Sequence, residues 1–173
     1  MINTKETKRE FIAELLKRDI HKILDLGCGE MLLPKAFLKN GAFVKGIDIK
    51  EPPVVPEGAV FVKGNFFQEE FEKDYDLIIA SLILHLPKKE YLNKLISKMK
   101  DSTIERGYNF LILMSNKDSL SNKEKFFPSF EEISELYSDW KLIKSLEDET
   151  EIEEHSNLPP HTHHLIFLIF QKN

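Results

Sequence analysis

The sequence predicts an α/β protein: a Rossmann-like, doubly wound sheet of seven strands, mostly parallel, with an antiparallel last strand. Three observations carry that prediction. Ile23, Leu24 and Leu26 make a short aliphatic run suited to a strand buried on both faces; Gly27-Cys28-Gly29 ends it, and an apolar-periodic segment from Leu32 to Asn40 follows at once. Strand and helix patterns then alternate along most of the chain, as a parallel sheet with crossover helices requires. Near the C-terminus two strand patterns follow each other with only a loop between them. That places an antiparallel hairpin in the sheet.

Residues 4–18 read as an amphipathic helix with Phe11, Ile12, Leu15 and Leu16 on one side, expected to pack on the sheet or to cover a ligand. The first strand, about 20–26, leads into a crossover helix over 32–40, where Pro34 is tolerable in the first turn and Asn40-Gly41 supplies the stop. Ala42 to Asp48 is a second strand ending in an acid. Pro52, Pro53 and Pro56 forbid a regular helix in the next crossover, so 51–58 is expected to be an irregular loop. Ala59 to Lys63 and Tyr75 to Ser81 are the third and fourth strands, joined through an acidic connector at 68–74. Tyr91, Leu92, Leu95, Ile96 and Met99 share one face of a helix over 88–100. Tyr108 to Met114 is a fifth strand, and after a polar loop at 115–125 a helix starts at Ser129, where Glu132 has capping-box spacing. Trp140 to Leu146 and His163 to Gln171 complete the seven. Glu147 to Glu154 holds six acids in eight residues and reads as a solvated loop.

With 173 residues the chain is expected to form one domain, an N-terminal helix (1–19) on an α/β core (20–173). No apolar run approaches the roughly 20 residues that span a bilayer. The polar start at 1–10 does not read as a signal peptide. Cys28 is the single cysteine, which excludes disulfides within the chain and cysteine-based metal clusters. A cytoplasmic location without membrane association is expected. The formal charge of −5 gives no global footprint for nucleic acid, and none is expected as a partner.

Two ligand classes compete for the turn at 27–29. A dinucleotide site wants Gly-x-Gly-x-x-Gly, and here the third position is Leu32. Asp25-Leu26-Gly27-Cys28-Gly29 instead resembles the first motif of class I S-adenosylmethionine (SAM) methyltransferases, where the acid two places before the first glycine can face a cationic ligand. Asp48, 19 residues after Gly29, stands where a carboxylate can accept from both hydroxyls of a ribose. The resemblance implies SAM as cofactor, with Asp25, Gly27, Cys28 and Gly29 at the methionyl moiety and Asp48 at the ribose. It puts Asn65 and Phe66 at the adenine and Ser81 in the segment that lines the methyl-donor pocket. A turn asparagine followed by two core phenylalanines is the structural alternative for 65–67. Seven strands with the last antiparallel is also this family's architecture.

Further stretches narrow the resemblance. Tyr75 to Ser81, Gly107 to Ile112, Phe127-Pro128 before the last helix, and Pro159-Pro160-His161-x-His163-His164 are similar to the tellurite-resistance (TehB-like) methyltransferases. Two departures stand out: Met31 occupies the place of the usual third glycine, and histidines occupy the C-terminal region where that family often carries arginines.

Topology brings those histidines to the ligand edge. A parallel sixth strand delivers its end there, so the following loop and the start of an antiparallel seventh strand lie on the same edge. His155, His161 and His164 are the catalytic candidates, as binders or proton acceptors for a small substrate. A polar strand end without a role stays open, and so does a metal site, for which no third ligand is fixed; none is assigned. The function expected is methyl transfer to a small nucleophile: a thiol, a chalcogen oxyanion or a small metabolite. The alternatives are a protein or RNA methyltransferase that relies on a protein partner, and a SAM-binding subunit without activity.

Overall fold

The computed structural model describes residues 1–85, 88–121, 127–153 and 160–173. The first strand, β1 (Lys22–Leu26), lies inside a seven-stranded sheet, between β2 (Phe43–Asp48) and the central strand β4 (Tyr75–Ser81). Beyond β2 comes β3 (Ala59–Lys63); beyond β4 come β5 (Thr103–Met114), β7 (His164–Gln171) and then β6 (Lys141–Glu149). The pairs β1–β2, β1–β4, β2–β3 and β4–β5 are parallel, and β7 runs antiparallel to both β5 and β6. The order turns back at β1 and β4, so a crevice opens beyond their carboxyl ends.

Both faces of the sheet are covered. On one, α1 (Thr4–Leu15) buries Phe11, Ile12 and Leu15 against Ile23, Ile79, Phe110 and Phe167. The Phe11 ring stacks on Phe110 at 5.7 Å and tilts against Phe167 at 5.4 Å. On the other, α3 (Lys89–Ser102) and α4 (Phe130–Leu136) pack Leu95, Ile96, Met99 and Ile133 on Leu24, Ile78, Leu111 and Leu168. Sheet residues therefore alternate between two apolar layers, which is why the central strands read as unbroken hydrophobic runs. The capping box at α4 is present: Ser129 Oγ accepts from the Glu132 amide and the Glu132 carboxylate accepts from the Ser129 amide.

Three elements differ from the sequence pattern. The helix expected over 32–40 is reduced to one short α-helix, α2 (Lys35–Leu38). Pro34 disfavours helical backbone at Leu33, so helix cannot begin earlier, and Gly41 at φ +83° ends it. Strand β5 begins at Thr103 and absorbs Arg106 (φ +64°) and Gly107 as an irregularity opposite β4. The acidic run is in part strand, because β6 continues through Glu149 on the sheet edge, its register with β7 held to His164. Its charges are met locally: Lys117 Nζ lies 2.9 Å from Glu147, and the Met1 ammonium lies 2.9 Å from Asp148. The proline-rich crossover at 51–58 has no helix, as expected.

Candidate active site

At the carboxyl end of β1 the chain passes from an apolar strand into backbone that few side chains tolerate. Gly27 and Gly29 sit at φ +61° and +48°. A Cβ on Gly27 would lie 2.4 Å from Ile83 Cγ2, so the turn is pressed against the segment after β4. Met31, in place of a third glycine, also adopts the left-handed region at φ +54°. Its side chain is buried against the bare backbone of Gly46, where an added Cβ would approach Met31 Cε to 2.8 Å. The turn is therefore held in shape by a packed methionine.

Asp48 ties the turn to β2. One carboxylate oxygen accepts from the Gly29 amide at 2.9 Å and the other from the Lys50 amide at 2.9 Å. The β3 end joins the same chain of contacts, since the Gly64 amide donates to the Asp48 carbonyl at 3.0 Å. Asn65 follows, its side-chain oxygen accepting from the Phe67 amide at 3.0 Å, which leaves the amide nitrogen as donor and one oxygen lone pair. Phe66 is only 7% exposed and belongs to the core, touching the Gly27 turn, whereas its neighbour Phe67 is partly exposed. Ile49, 70% exposed directly after Asp48, is an apolar side chain at this end of the site that the sequence did not single out.

Between the ends of β1 and β4 lies a cleft of about 200 Å³ lined by Asp25, Gly27, Cys28 and Ser81, with Lys8 reaching it from α1. Asp25 is 2% exposed. Burial, and then the charge of Asp48, push its carboxyl up to about 8. Burial likewise pushes the Cys28 thiol up to about 12, with the Asp25 and Asp48 charges adding to it, which favours the thiol over the nucleophilic thiolate. Leu82, just past Ser81, takes φ +57° with its amide on the Ile112 carbonyl at 2.6 Å. Strained non-glycine backbone thus borders the cleft at Met31 and Leu82, as functional edges often show.

A second cluster occupies the same edge at the ends of β5, β7 and β6. His163 is buried, with Nδ1 at 3.1 Å from Asp118 Oδ2, which also accepts from the His164 amide at 2.8 Å. His163 Nε2 meets His161 Nε2 at 3.1 Å, the two rings nearly perpendicular. An Nδ1–H directed at Asp118 leaves His163 Nε2 as acceptor, so His161 is the donor of that contact. His164 points elsewhere, its Nδ1 at 2.8 Å from Ser115 Oγ and 3.7 Å from Glu147. His155 lies outside the described residues. The member that sequence reading missed is Asp118, a single acid in a polar loop, with no local pattern to signal it. His85, at the end of the β4 segment, sets its ring edge against Phe127 at 5.3 Å. Among the described residues no group of three or more His, Cys, Asp or Glu side chains is arranged to hold a metal ion.

The two clusters adjoin through Glu153. It accepts from Thr4 Oγ1 of α1 at 2.8 Å, pairs its backbone with His161, and its charge acts on Lys8. No helix among the described residues is long and apolar enough to cross a membrane.

Comparison with known proteins gives a consistent picture. A family profile described as "Tellurite resistance protein TehB" matches residues 57–158. The probable S-adenosyl-L-methionine-dependent methyltransferase TehB of Haemophilus influenzae is 24% identical over 142 residues, covering 76% of this chain and 50% of that protein. The chain thus spans about half the length of the curated relative it matches. The crystal structure of TehB from H. influenzae superposes with a TM-score of 0.79 at 18% identity, over 95% of this chain and 62% of that one. The 1,6-didemethyltoxoflavin-N1-methyltransferase of Burkholderia thailandensis, solved with 1,6-didemethyltoxoflavin and S-adenosylhomocysteine bound, gives a TM-score of 0.72 at 16% identity, over 96% and 76% of the two chains. The fold is that of the class I methyltransferases.

Proposed function

We propose that this chain, which belongs to the TehB family of tellurite resistance proteins, is a SAM-dependent methyltransferase acting on a small nucleophile. The observation that carries this reading is Asp25. A carboxyl at 2% exposure whose pKa is pushed up to about 8, at the floor of a cleft beside a glycine turn, suits a ligand that brings its own positive charge. SAM brings an ammonium and a sulfonium. A dinucleotide brings a diphosphate, which an acid there would repel.

In this reading the methionyl moiety lies over the Gly27–Gly29 backbone with its ammonium near Asp25, and Ser81 and Cys28 line the same cleft. Asp48 would take the ribose hydroxyls while keeping the Gly29 contact. At the adenine, the Asn65 amide nitrogen would donate, and Phe67 and Ile49 would flank the ring that the buried Phe66 supports from below. The reaction is in-line: a lone pair of the acceptor forms the bond to the methyl carbon, the bond from that carbon to sulfur breaks, and S-adenosylhomocysteine leaves. The chain contributes position and exclusion of water. His161, backed by His163 and Asp118, would receive the acceptor's proton. His164, bonded to Ser115, would shape the same edge, and His155 is a candidate binder from the sequence alone. A small acceptor is favoured by a similar structure whose name gives the N1 of a small heterocycle as the methylated atom. The cytoplasm suits an enzyme whose single cysteine is buried and reduced.

Calorimetry with SAM, S-adenosylhomocysteine and NAD tests the cofactor. Transfer of labelled methyl to thiols, selenite and tellurite tests the acceptor. Absence of binding by SAM and S-adenosylhomocysteine at millimolar concentration would sink the reading. Binding with turnover only on added protein or RNA would move the acceptor from small molecule to macromolecule.

A further inference from the structure

Beside the cofactor cleft, between α1 and the 32–40 segment, runs a groove of about 970 Å³ that the methyl-transfer reading does not use. Its floor is apolar, made by Ile12, Ala13, Leu16, Leu33 and Ala36, with Leu32 standing 59% exposed at its lip. Its rim is cationic: Lys5, Lys8, Arg9, Lys35 and Lys39 line it, and no acidic residue does. Glu153, outside the lining, acts on Lys8 by its charge, and no salt bridge among the described residues joins any of the five to an acid. In a chain of net charge −5, this is a local inversion of sign over an unfilled apolar trough. The groove lies where α1 faces the short helix α2.

We propose that this groove binds a small amphipathic anion, an extended apolar body ending in a carboxylate, with the body between α1 and α2 and the anionic end at Lys8. The volume lies in the range of small-molecule sites, roughly 300–1,000 Å³. From Lys8 to Leu16 the helix axis advances roughly 12 Å at 1.5 Å per residue, comparable with an extended medium-length acyl chain. Apolar burial would drive the body in, and the rim selects the sign of the head group. Lys8 is the natural anchor: it lines both groove and cleft, and burial holds its ammonium below the ordinary lysine value against the opposing charge of Glu153. The proposal does not depend on the methyltransferase reading, and its test uses no cofactor.

The probe is dodecanoate, titrated calorimetrically below its micelle concentration into the full chain, with acetate and dodecyltrimethylammonium as controls. The expected result is saturable binding of dodecanoate at one per chain, with neither control binding. Ala13→Trp, at an exposed position of α1, should fill the trough, and Lys5→Glu with Lys39→Glu should reverse the rim. Each variant should keep the wild-type melting temperature and weaken dodecanoate roughly tenfold or more. Equal affinity for dodecyltrimethylammonium, or dodecanoate affinity unchanged in both variants, overturns the proposal. So does capture on phosphatidylglycerol vesicles without binding of monomeric dodecanoate, which assigns the patch to a membrane surface instead.

Discussion

Burial holds Asp25 in its neutral form up to about pH 8, and a cation beside it would favour the charged form instead. Its carboxyl is pushed up to about 8 from an unfolded value near 4, so the folded chain keeps a proton that the unfolded chain has lost across that window. Stability contributed by this group therefore falls as pH rises from about 4 to about 8. Asp25→Asn should raise the melting temperature at pH 8.5 and change it little at pH 4. The same linkage governs the ligand. A cation beside Asp25 displaces its proton, so SAM affinity should rise up to about tenfold per pH unit between pH 6 and 7.5, and Asp25→Asn should flatten that slope. A variant that keeps the wild-type slope would remove Asp25 from the ligand's neighbourhood. Met31 poses the opposite question, because a glycine there would adopt φ +54° without strain. The buried side chain outweighs that relief: losing a packed methionine costs about 2–5 kcal/mol, against about 1–2 kcal/mol for left-handed backbone. Met31→Gly should melt lower than wild type, and a higher melting temperature would show that strain dominates. That Asp25, Asp48, Asn65 and Ser81 gather on one edge was legible in the sequence because they follow strand ends in order. The Phe66–Phe67 pair was not: two adjacent rings in a turn do not announce which one faces the core.

Elements were readable where local chemistry and burial agree. The buried strands β1, β4 and β7 announce themselves as aliphatic runs, and the three prolines at 52, 53 and 56 exclude helix from their crossover whatever surrounds them. The Ser129 box marks α4, and Ser129→Ala should cost about 1 kcal/mol, read from chemical denaturation. Helix α2 was over-read because apolar spacing over 32–40 fits helical periodicity, while Pro34 restricts Leu33 more strongly than periodicity can compensate. The edge strand β6 was under-read because an acidic sequence carries no strand signal of its own. Its pairing is supplied by β7, and its charges face solvent, Lys117 and the N-terminus. Helix α1 depends on the sheet in the same non-local way. Phe11→Ala removes the ring that joins α1 to Phe110 and Phe167 and should cost about 3–5 kcal/mol. Because α1 also carries Lys8, the variant should lose occupancy of the groove and cleft before it loses the sheet. Protease cleavage within 1–20 ahead of global unfolding would register that loss.

At the scale of the molecule, strand order separates two tasks along one edge. The ends of β1, β2, β3 and β4 gather Asp25, the glycine turn, Asp48, Asn65 and Ser81, while β5, β7 and β6 gather Asp118, His161, His163 and His164. In the proposed reaction the first set would contact the cofactor and the second the acceptor, so the two should respond independently to substitution. Asp48→Ala removes charge-assisted contacts worth about 1.5–3 kcal/mol each and should weaken S-adenosylhomocysteine roughly tenfold or more. Turnover at saturating SAM should be largely retained. His161→Ala should do the reverse, lowering kcat by about 10²–10⁴-fold with S-adenosylhomocysteine affinity unchanged. Asp118→Asn removes the carboxylate that fixes His163 Nδ1 as donor and should lower kcat less than His161→Ala. A kcat unchanged in Asp118→Asn shows that Asp118 only anchors the loop through the His164 amide.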